Sequence, residues 1–226
     1  SKVLDIQFMD VGQGDGIFIK ADDGTTITID GGSSDVKNVA KYRMIPCIKA
    51  SGTGVIDYAV ITHADKDHIS GIEEILNMNT ENGLTIRNLV MPHVSYEDEA
   101  YDELLTAAKT KGIQVLYIKE GDTMKLGKVE IKCIHPDGKY ISDNRNDYST
   151  VLSLKYENFS ALFTGDIPAE IEKSIINKID NNYTILKVAH HGSKYSSDME
   201  FLKKVMTRQG KNGILIYICL KGGSMP

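Results

Sequence analysis

The chain has 226 residues, a formal net charge of −5, and 41% hydrophobic and 25% charged residues. This length is ample for a sizeable core, so we predict a single globular domain over residues 1–226. The ordinary composition speaks against disordered and fibrous classes, and the negative charge speaks against broad electrostatic attraction to nucleic acid.

No apolar run approaches the roughly 20 residues that a membrane-spanning helix needs, and the first residues lack the charged-then-apolar pattern of a signal peptide. An upstream signal or membrane segment lies outside what this sequence can test. The three cysteines, Cys47, Cys133 and Cys219, are widely spaced and form no CxxC pair. We therefore expect reduced, buried thiols and a cytoplasmic location.

Alternating apolar residues and glycine-rich turns predict an opening β-meander, and the remaining chain alternates between strands and helices. In chain order, the predicted elements are strands at residues 3–8, 17–20 and 26–30, a helix at 39–48, a strand at 55–61, a helix at 69–77, a strand at 85–91, a helix at 97–111, strands at 114–118, 128–134, 149–156 and 161–164, a helix at 168–180, a strand at 184–188, a helix at 198–206 and a strand at 213–220. This order predicts a mixed α/β fold of two halves packed sheet against sheet, with helices on both outer faces.

Four side chains that can bind metals follow the predicted strand at residues 55–61, namely His63, Asp65, Asp67 and His68. Such a strand holds its ligands on a stiff base, and borderline divalent metals accept imidazole and carboxylate together. Residues two apart on an extended segment share a face. We therefore expect His63 and Asp65 to face one metal, and Asp67 and His68 to face a second. The alternative is a charged loop in which Asp67 caps the next helix.

Further ligands must come from elsewhere, because the loop alone cannot complete two coordination spheres. Asp166 ends an apolar strand in a glycine turn, where its carboxylate either bridges two metals or caps the helix after Pro168. His190 and His191 also follow a predicted strand, and adjacent imidazoles point apart. We predict His190 as the ligand and assign His191 to general acid catalysis, substrate contact or support of a ligand. The alternative is a pair of surface histidines.

Two more histidines, His93 and His135, lie at the ends of predicted strands. Either residue is a candidate to complete the first metal's coordination. A lone histidine at a strand end is more often structural, so both interpretations stay open.

The HxDxDH motif at residues 63–68 resembles the metal loop of the metallo-β-lactamase superfamily, and FTGD at residues 163–166 resembles its bridging-aspartate motif. A narrower resemblance is to the hydrolase-like domain of ComEC-type competence proteins. It rests on DVGQGD at residues 10–15, NDYS at 146–149, TGD at 164–166 and AHHGS at 189–193, in that order. Together these motifs span nearly the whole chain.

The resemblance implies a four-layer αββα sandwich and two divalent metal ions, zinc or manganese. It gives Asp30 a supporting role behind the metal loop, and we assign Asp10 and Asp15 to the same role. The superfamily's third histidine is absent from residues 143–149, where Asn146 is a weaker ligand or a substrate contact. The membrane channel segments of a competence protein are also absent, and the sequence stops before the helix and strands expected to close the fold.

These residues predict a metal-dependent hydrolase of phosphodiester bonds, in which a metal-bound hydroxide attacks phosphorus. Asp67 or Asp166 would orient the hydroxide. The predicted substrate contacts are Gln13, Asn146, Ser193 and Lys194. The predicted partner is a phosphodiester, with single-stranded nucleic acid as one candidate. Two alternatives are an acyl-bond hydrolase resembling lactonases or thioesterases, and a non-catalytic binding module that keeps the fold.

Overall fold

The computed structural model describes residues 3–79, 83–95, 97–139, 142–180 and 182–206, together with the backbone of residues 214–216. The chain divides into two compact units. Unit 1 comprises residues 1–91 and 96–118, and unit 2 comprises residues 92–95 and 119–226. The prediction of a single domain over the whole chain stays a prediction.

Unit 1 is built on a six-stranded sheet with the strands in chain order. Its first three strands form the predicted antiparallel meander, and the third, fourth and fifth strands pair in parallel. The strands are β1 Asp5–Phe8, β2 Ile17–Lys20, β3 Thr26–Ile29, β4 Val55–Val60, β5 Thr85–Pro92 and β6 Gln114–Ile118. The helices are α1 Ile45–Ala50, which follows a π-helical segment at Ala40–Met44, α2 Lys66–Asn77 and α3 Glu99–Thr110.

Unit 2 contains a second six-stranded sheet, again with the strands in chain order. Its first four strands are antiparallel, and its last three pair in parallel. The strands are β7 Thr123–Leu126, β8 Val129–His135, β9 Val151–Tyr156, β10 Phe159–Phe163, β11 Ile185–Lys187 and β12 Ile214–Ile216. The helices are α4 Ala169–Ile175 and α5 Met199–Met206. They cover one buried cluster that includes Leu162, Ile171, Leu186 and Phe201.

Within each unit, the parallel pairing of neighbouring strands brings candidate site residues to one edge of the sheet. The carboxyl ends of neighbouring parallel strands meet at one edge of a sheet. Asp30 directly follows β3, and His63 lies three residues beyond β4, its parallel neighbour. In unit 2, Asp166 follows β10 and His190 follows β11, which are also parallel neighbours. Each unit therefore gathers its own set of metal-capable side chains.

The predicted mixed α/β class is confirmed, and most predicted elements are present with shifted ends. Helix α2 begins at Lys66 rather than residue 69, and α4 ends at Ile175 rather than residue 180. The short strand β7 and two 3-10 turns, at Arg145–Tyr148 and Ala189–Gly192, were not predicted. Most of the predicted strand at 213–220 lies outside the described residues.

A search of the described residues finds no helix with the length and apolar character needed to cross a membrane.

Candidate metal centre

Asp30 is the hydrogen-bonding centre of the unit 1 site. It is buried and has a left-handed backbone conformation with φ 57°. Its Oδ1 accepts a hydrogen bond from Thr62 N at 2.8 Å, and its Oδ2 accepts one from Thr62 Oγ1 at 2.6 Å. The same Oδ2 lies 2.8 Å from His68 Nδ1. One carboxylate therefore fixes both the end of β4 and the His68 ring, as expected for a supporting residue.

These contacts also determine which nitrogen of each imidazole carries the proton. A carboxylate only accepts, so His68 Nδ1 must donate to Asp30. The single hydroxyl proton of Thr62 goes to Asp30, so its oxygen accepts from His63 Nδ1, which lies 3.1 Å away. In the neutral form of each ring the lone pair is therefore on Nε2, the form in which an imidazole binds a metal.

The two imidazoles lie side by side in the interior of unit 1. The side chains of His63 and His68 are 0% exposed, and their ring centroids are 4.1 Å apart at an interplanar angle of 53°. Packing and hydrogen bonds thus hold both rings in fixed orientations. A metal site requires such fixed ligands, because its bond lengths tolerate little error.

His63 Nε2 lies 3.5 Å from Asp65 Oδ2. Two ligands bound about 2.1 Å from one ion at a tetrahedral angle lie about 3.4 Å apart. The spacing therefore suits two ligands of the same metal, as predicted for this pair. Buried imidazole with carboxylate is also the donor chemistry that borderline divalent ions accept, so the residues of unit 1 fit such an ion.

Asp67 and His68 differ from the sequence interpretation in one respect. They lie in the first turn of α2 rather than on an extended loop, because α2 begins at Lys66. The residue at the N-terminal cap is Asp65, whose side chain makes no capping hydrogen bond. The alternative in which Asp67 caps the helix is therefore not supported. Asp67 is half-buried, and its predicted catalytic and ligand roles stay predictions.

Backbone contacts hold the start of α2 from two glycine-rich loops. Asp15 N donates to Asp67 O at 3.0 Å, and Gly31 N donates to His68 O at 2.8 Å. A Cβ added at Gly14 would lie 2.4 Å from Asp67 O. A Cβ added at Gly32 would lie 2.5 Å from His68 N. Glycine is needed at both positions because backbone approaches backbone, a role the sequence interpretation missed.

Asp15 and Asp10 have different surroundings. Asp15 is buried, and its Oδ2 lies 3.8 Å from His68 Nδ1. Oxygens of Asp15 and Asp30 and a ring nitrogen of His68 lie within 4.8 Å of one another, so Asp15 contributes to the negative surroundings of this ring. Asp10 is exposed and pairs with Arg43 at 3.1 Å. These contacts of Asp10 do not support the predicted role of this residue behind the metal loop.

Asp166 is the centre of the unit 2 site. It is buried, and its backbone N donates to Ser149 Oγ at 3.1 Å. Its Oδ1 lies 3.5 Å from Lys187 Nζ, and its Oδ2 lies 3.4 Å from His191 Nε2. The cap position of α4 is taken by Pro168, so Asp166 does not cap that helix. Its carboxylate is directed instead toward a lysine and a histidine.

The histidine pair adopts an unusual backbone conformation. His190 and His191 have positive φ angles of 49° and 52°, and their ring planes diverge by 71°. Left-handed conformations at such residues cost free energy and cluster at functional sites. His191 is buried and has the ligand-pair spacing to Asp166, whereas His190 is half-buried. The geometry thus favours His191, and the choice of His190 as ligand stays a prediction.

Three of the four predicted substrate contacts, Gln13, Ser193 and Lys194, lie in loops, and Asn146 lies in the 3-10 turn at Arg145–Tyr148. The backbone of Gln13 donates to Asp35 Oδ1 at 2.7 Å, and Ser193 N donates to His190 O at 2.8 Å. The Lys194 ammonium lies 5.0 Å from the centre of the exposed Tyr195 ring. Asn146 Oδ1 is buried and has no hydrogen-bond partner among the described residues, and its role as a substrate contact stays a prediction.

The remaining histidines have structural surroundings. His135 is buried, and its Nε2 donates to Asp147 O at 2.6 Å. Burial lowers the pKa of His135, and the hydrogen bond to Asp147 opposes this shift only in part. His93 is exposed and lies against Gly138, where an added Cβ would be 2.6 Å from its Nδ1. These contacts favour the structural interpretation of both residues.

One residue beside Asp166 was missed entirely. Lys187 is 1% exposed, although it carries a charge and is the last residue of the short strand β11. The sequence did contain a signal of this buried charge, because the lysine lies within the apolar segment ILKVA. A charged residue at such a position needs a partner, and Asp166 follows the neighbouring strand.

Comparisons with known proteins agree with this arrangement. The family model described as the metallo-beta-lactamase superfamily matches residues 9–208. The chain is 27% identical to ComE operon protein 3 of Bacillus subtilis in an alignment of 218 residues that covers 90% of this chain and 27% of that protein. It is 28% identical to Recombination protein 2 of Haemophilus influenzae in an alignment of 206 residues that covers 88% of this chain and 23% of that protein. The chain thus spans about a quarter of these curated relatives.

A solved structure shows the same fold. It is a metallo-beta-lactamase with a HARLDQ motif from Cronobacter sakazakii, with a TM-score of 0.52 and 13% identity. The alignment covers 80% of this chain and 76% of that one. The predicted metallo-β-lactamase type of fold and the resemblance to competence proteins are therefore confirmed. The chain belongs to the metallo-beta-lactamase superfamily.

Proposed function

We propose that this chain is a metal-dependent hydrolase of phosphodiester bonds. The observation that carries the proposal is the fixed orientation of the buried rings of His63 and His68. Their Nδ1 atoms lie 3.1 Å from Thr62 Oγ1 and 2.8 Å from Asp30 Oδ2, so Nε2 is the nitrogen of each ring that would bind a metal. In unit 1 the proposed ligands are His63, Asp65, Asp67 and His68. Unit 2 holds its own proposed ligands, Asp166 with His191 or His190. The proposed cofactors are two divalent ions, zinc or manganese, as the resemblance implies.

Divalent ions, when bound, would lower the pKa of water and stabilise the negative charge that develops on phosphorus. The residues of the chain would position the attacking water and the substrate and would supply charged groups. Asp67 or Asp166 would orient the attacking water and hold its proton. Lys194 and Ser193, next to the histidine pair, would bind phosphate oxygens, since ammonium and hydroxyl groups suit them. Asn146 would donate or accept through its buried amide.

The substrate class is part of the proposal. Both a small phosphodiester and single-stranded nucleic acid are consistent with the donors present. The net charge of −5 supports a short or single-stranded substrate over long duplex DNA, because duplex binding depends on many lysine and arginine contacts. Cys47 and Cys133 are free thiols, which supports a reducing, cytoplasmic location, whereas Cys219 lies outside the described residues.

The test is a metal-resolved hydrolysis assay. Protein stripped of metal and reloaded with zinc or manganese would be given bis-p-nitrophenyl phosphate and a single-stranded DNA oligonucleotide. We expect cleavage that depends on metal and is abolished by Asp67→Ala. Asp10→Ala is the matched control, since Asp10 is an exposed aspartate that pairs with Arg43 and should retain full activity.

The outcomes separate the competing functions. Turnover of nitrocefin or a thioester with no cleavage of either phosphodiester would replace the proposal with acyl-bond hydrolysis. Two metals bound without turnover of any of these substrates would favour a binding module. Cleavage that persists in Asp67→Ala would show that Asp67 is not a catalytic residue.

A further inference from the structure

Lys187 is one of the largest fully buried side chains in the described part of the chain. Removing an ammonium group from water costs several kcal/mol unless good partners replace the water. Its Nζ donates to Gly165 O at 2.8 Å and lies 3.5 Å from Asp166 Oδ1. Both partners belong to one turn, so the charge of Lys187 acts on the segment that carries Asp166.

The contact between this turn and β11 is reciprocal. Thr164 Oγ1 donates to Lys187 O at 2.6 Å, and Phe163 pairs with Lys187 in the parallel ladder of β10 and β11. Lys187 therefore contacts the turn through both its side chain and its backbone. The turn itself needs a left-handed residue, since Gly165 has φ 52°. Such a turn can redirect the Asp166 carboxylate unless something holds it.

The carbonyl of Gly165 also connects the turn to the histidine pair. It accepts a hydrogen bond from His190 N at 3.1 Å in addition to the bond from Lys187 Nζ. One carbonyl thus joins the Asp166 turn, the buried ammonium and the segment that carries His190 and His191. A shift of the lysine would alter both groups of proposed ligands in unit 2.

We propose that Lys187 is a positioning residue of the metal centre, whose ammonium group fixes the turn at residues 164–166 so that Asp166 directs Oδ1 toward Lys187 and Oδ2 toward His191. The inference rests on the proposed function for the identity of the ligands. Lys187 is too deeply buried to contact substrate, so it acts only through Asp166 and Gly165.

The experiment compares metal binding by the wild-type chain, Lys187→Met and Lys155→Met. Methionine keeps a long unbranched side chain without donor or charge. Lys155 is the matched control, because it lies in the same sheet but is exposed and pairs with Asp180 at 2.8 Å. Zn²⁺ affinity is measured against a competing chelator, the Co²⁺ absorption spectrum reports the ligand geometry, and thermal unfolding of the metal-free protein reports stability.

We expect Lys187→Met to weaken Zn²⁺ binding by about 10- to 100-fold, the range found when a partner of a metal ligand is removed, and to change the Co²⁺ spectrum. Lys155→Met should leave both unchanged. A metal-free Lys187→Met protein that is less stable but keeps wild-type affinity and spectrum would show a merely structural role and overturn the inference.

Two further outcomes are decisive. If Lys187→Met does not fold, Lys187→Gln, which keeps a donor but no charge, is measured in the same way. Failure of both variants to fold would also overturn the inference, because Lys187 would then support unit 2 as a whole. A wild-type chain that binds none of Zn²⁺, Co²⁺ and Mn²⁺ would instead contradict the proposed function, so the two failures are distinguishable.

Discussion

The Oδ2 of Asp30 lies 2.8 Å from the Nδ1 of His68, and both side chains are buried. The two residues are far apart in sequence but meet because β3 and β4 are parallel neighbours. Since the same carboxylate also binds Thr62, the end of β4, the start of α2 and the orientation of one imidazole depend on a single side chain.

Asp30→Asn should therefore damage both stability and metal binding. Asparagine has the same size as aspartate, but its NH₂ group cannot accept a hydrogen bond. At least one of the hydrogen bonds that Asp30 accepts from Thr62 and His68 is therefore lost. We expect a loss of about 1.5–3 kcal/mol in the free energy of unfolding and a 10- to 100-fold loss of metal affinity. Urea unfolding and chelator competition measure the two effects. Asp10→Asn is the control, and equal behaviour of the two variants would contradict the central role of Asp30.

Gly32→Ala tests the close approach of backbone to the start of α2. The new Cβ would lie 2.5 Å from both Asp67 C and His68 N, and backbone atoms cannot yield as a flexible side chain does. We expect a loss of about 1–3 kcal/mol in the free energy of unfolding, as for other overpacked sites, together with weaker metal binding.

Gly54→Ala is the matched control for that variant. A Cβ at Gly54 would meet no heavy atom within 4 Å. Its free energy of unfolding, measured in urea, should stay within about 0.5 kcal/mol of wild type. A Gly32→Ala protein that resembles Gly54→Ala in both measurements would show that the glycine-rich loop does not constrain Asp67 and His68.

Part of this centre could be predicted from sequence because its signals are local. The ligand loop directly follows a strand, and the periodicity of apolar residues locates the strands. The contact of Gly32 with His68 could not be predicted, since it depends on the packing of segments distant in sequence. The choice between His190 and His191 depends on two left-handed backbone conformations that no sequence pattern marks.

The boundary of α2 shows a different limit. The apolar spacing of the helix begins at Ile69, but the backbone becomes helical at Lys66, where the side chains are polar. Apolar periodicity reports which face is buried rather than where the helix begins. Because the helix was predicted to begin too late, Asp67 and His68 were placed on an extended segment. The prediction that these two residues face a second metal therefore rests on a backbone geometry that the structure does not have.

Cys133 should be inert in the native protein. Burial raises the pKa of its thiol to about 12, so on the order of one molecule in ten thousand carries the reactive thiolate at pH 8. With Cys47 and Cys219 replaced by serine, Cys133 should not react with a disulfide reagent until the chain is unfolded in urea. Rapid reaction of the native double variant would show that Cys133 is accessible and would reopen a role for it in chemistry.

His135 should make stability depend on pH. Burial lowers its pKa in the folded chain below the ordinary value of 6.5, because the charged imidazolium cannot be solvated there. The unfolded chain therefore binds more protons between the two pKa values, so the unfolding free energy is highest above pH 6.5 and falls as pH decreases through this window. Each unit of pKa difference corresponds to about 1.4 kcal/mol.

We expect metal-free wild-type protein to lose more stability between pH 7.5 and 5.5 than His135→Gln, whose amide remains neutral and able to donate to Asp147. His93→Gln, a change at an exposed histidine, should follow the wild-type profile. Parallel profiles for wild type and His135→Gln in urea unfolding would mean that folding leaves the pKa of His135 unchanged, which would contradict this prediction.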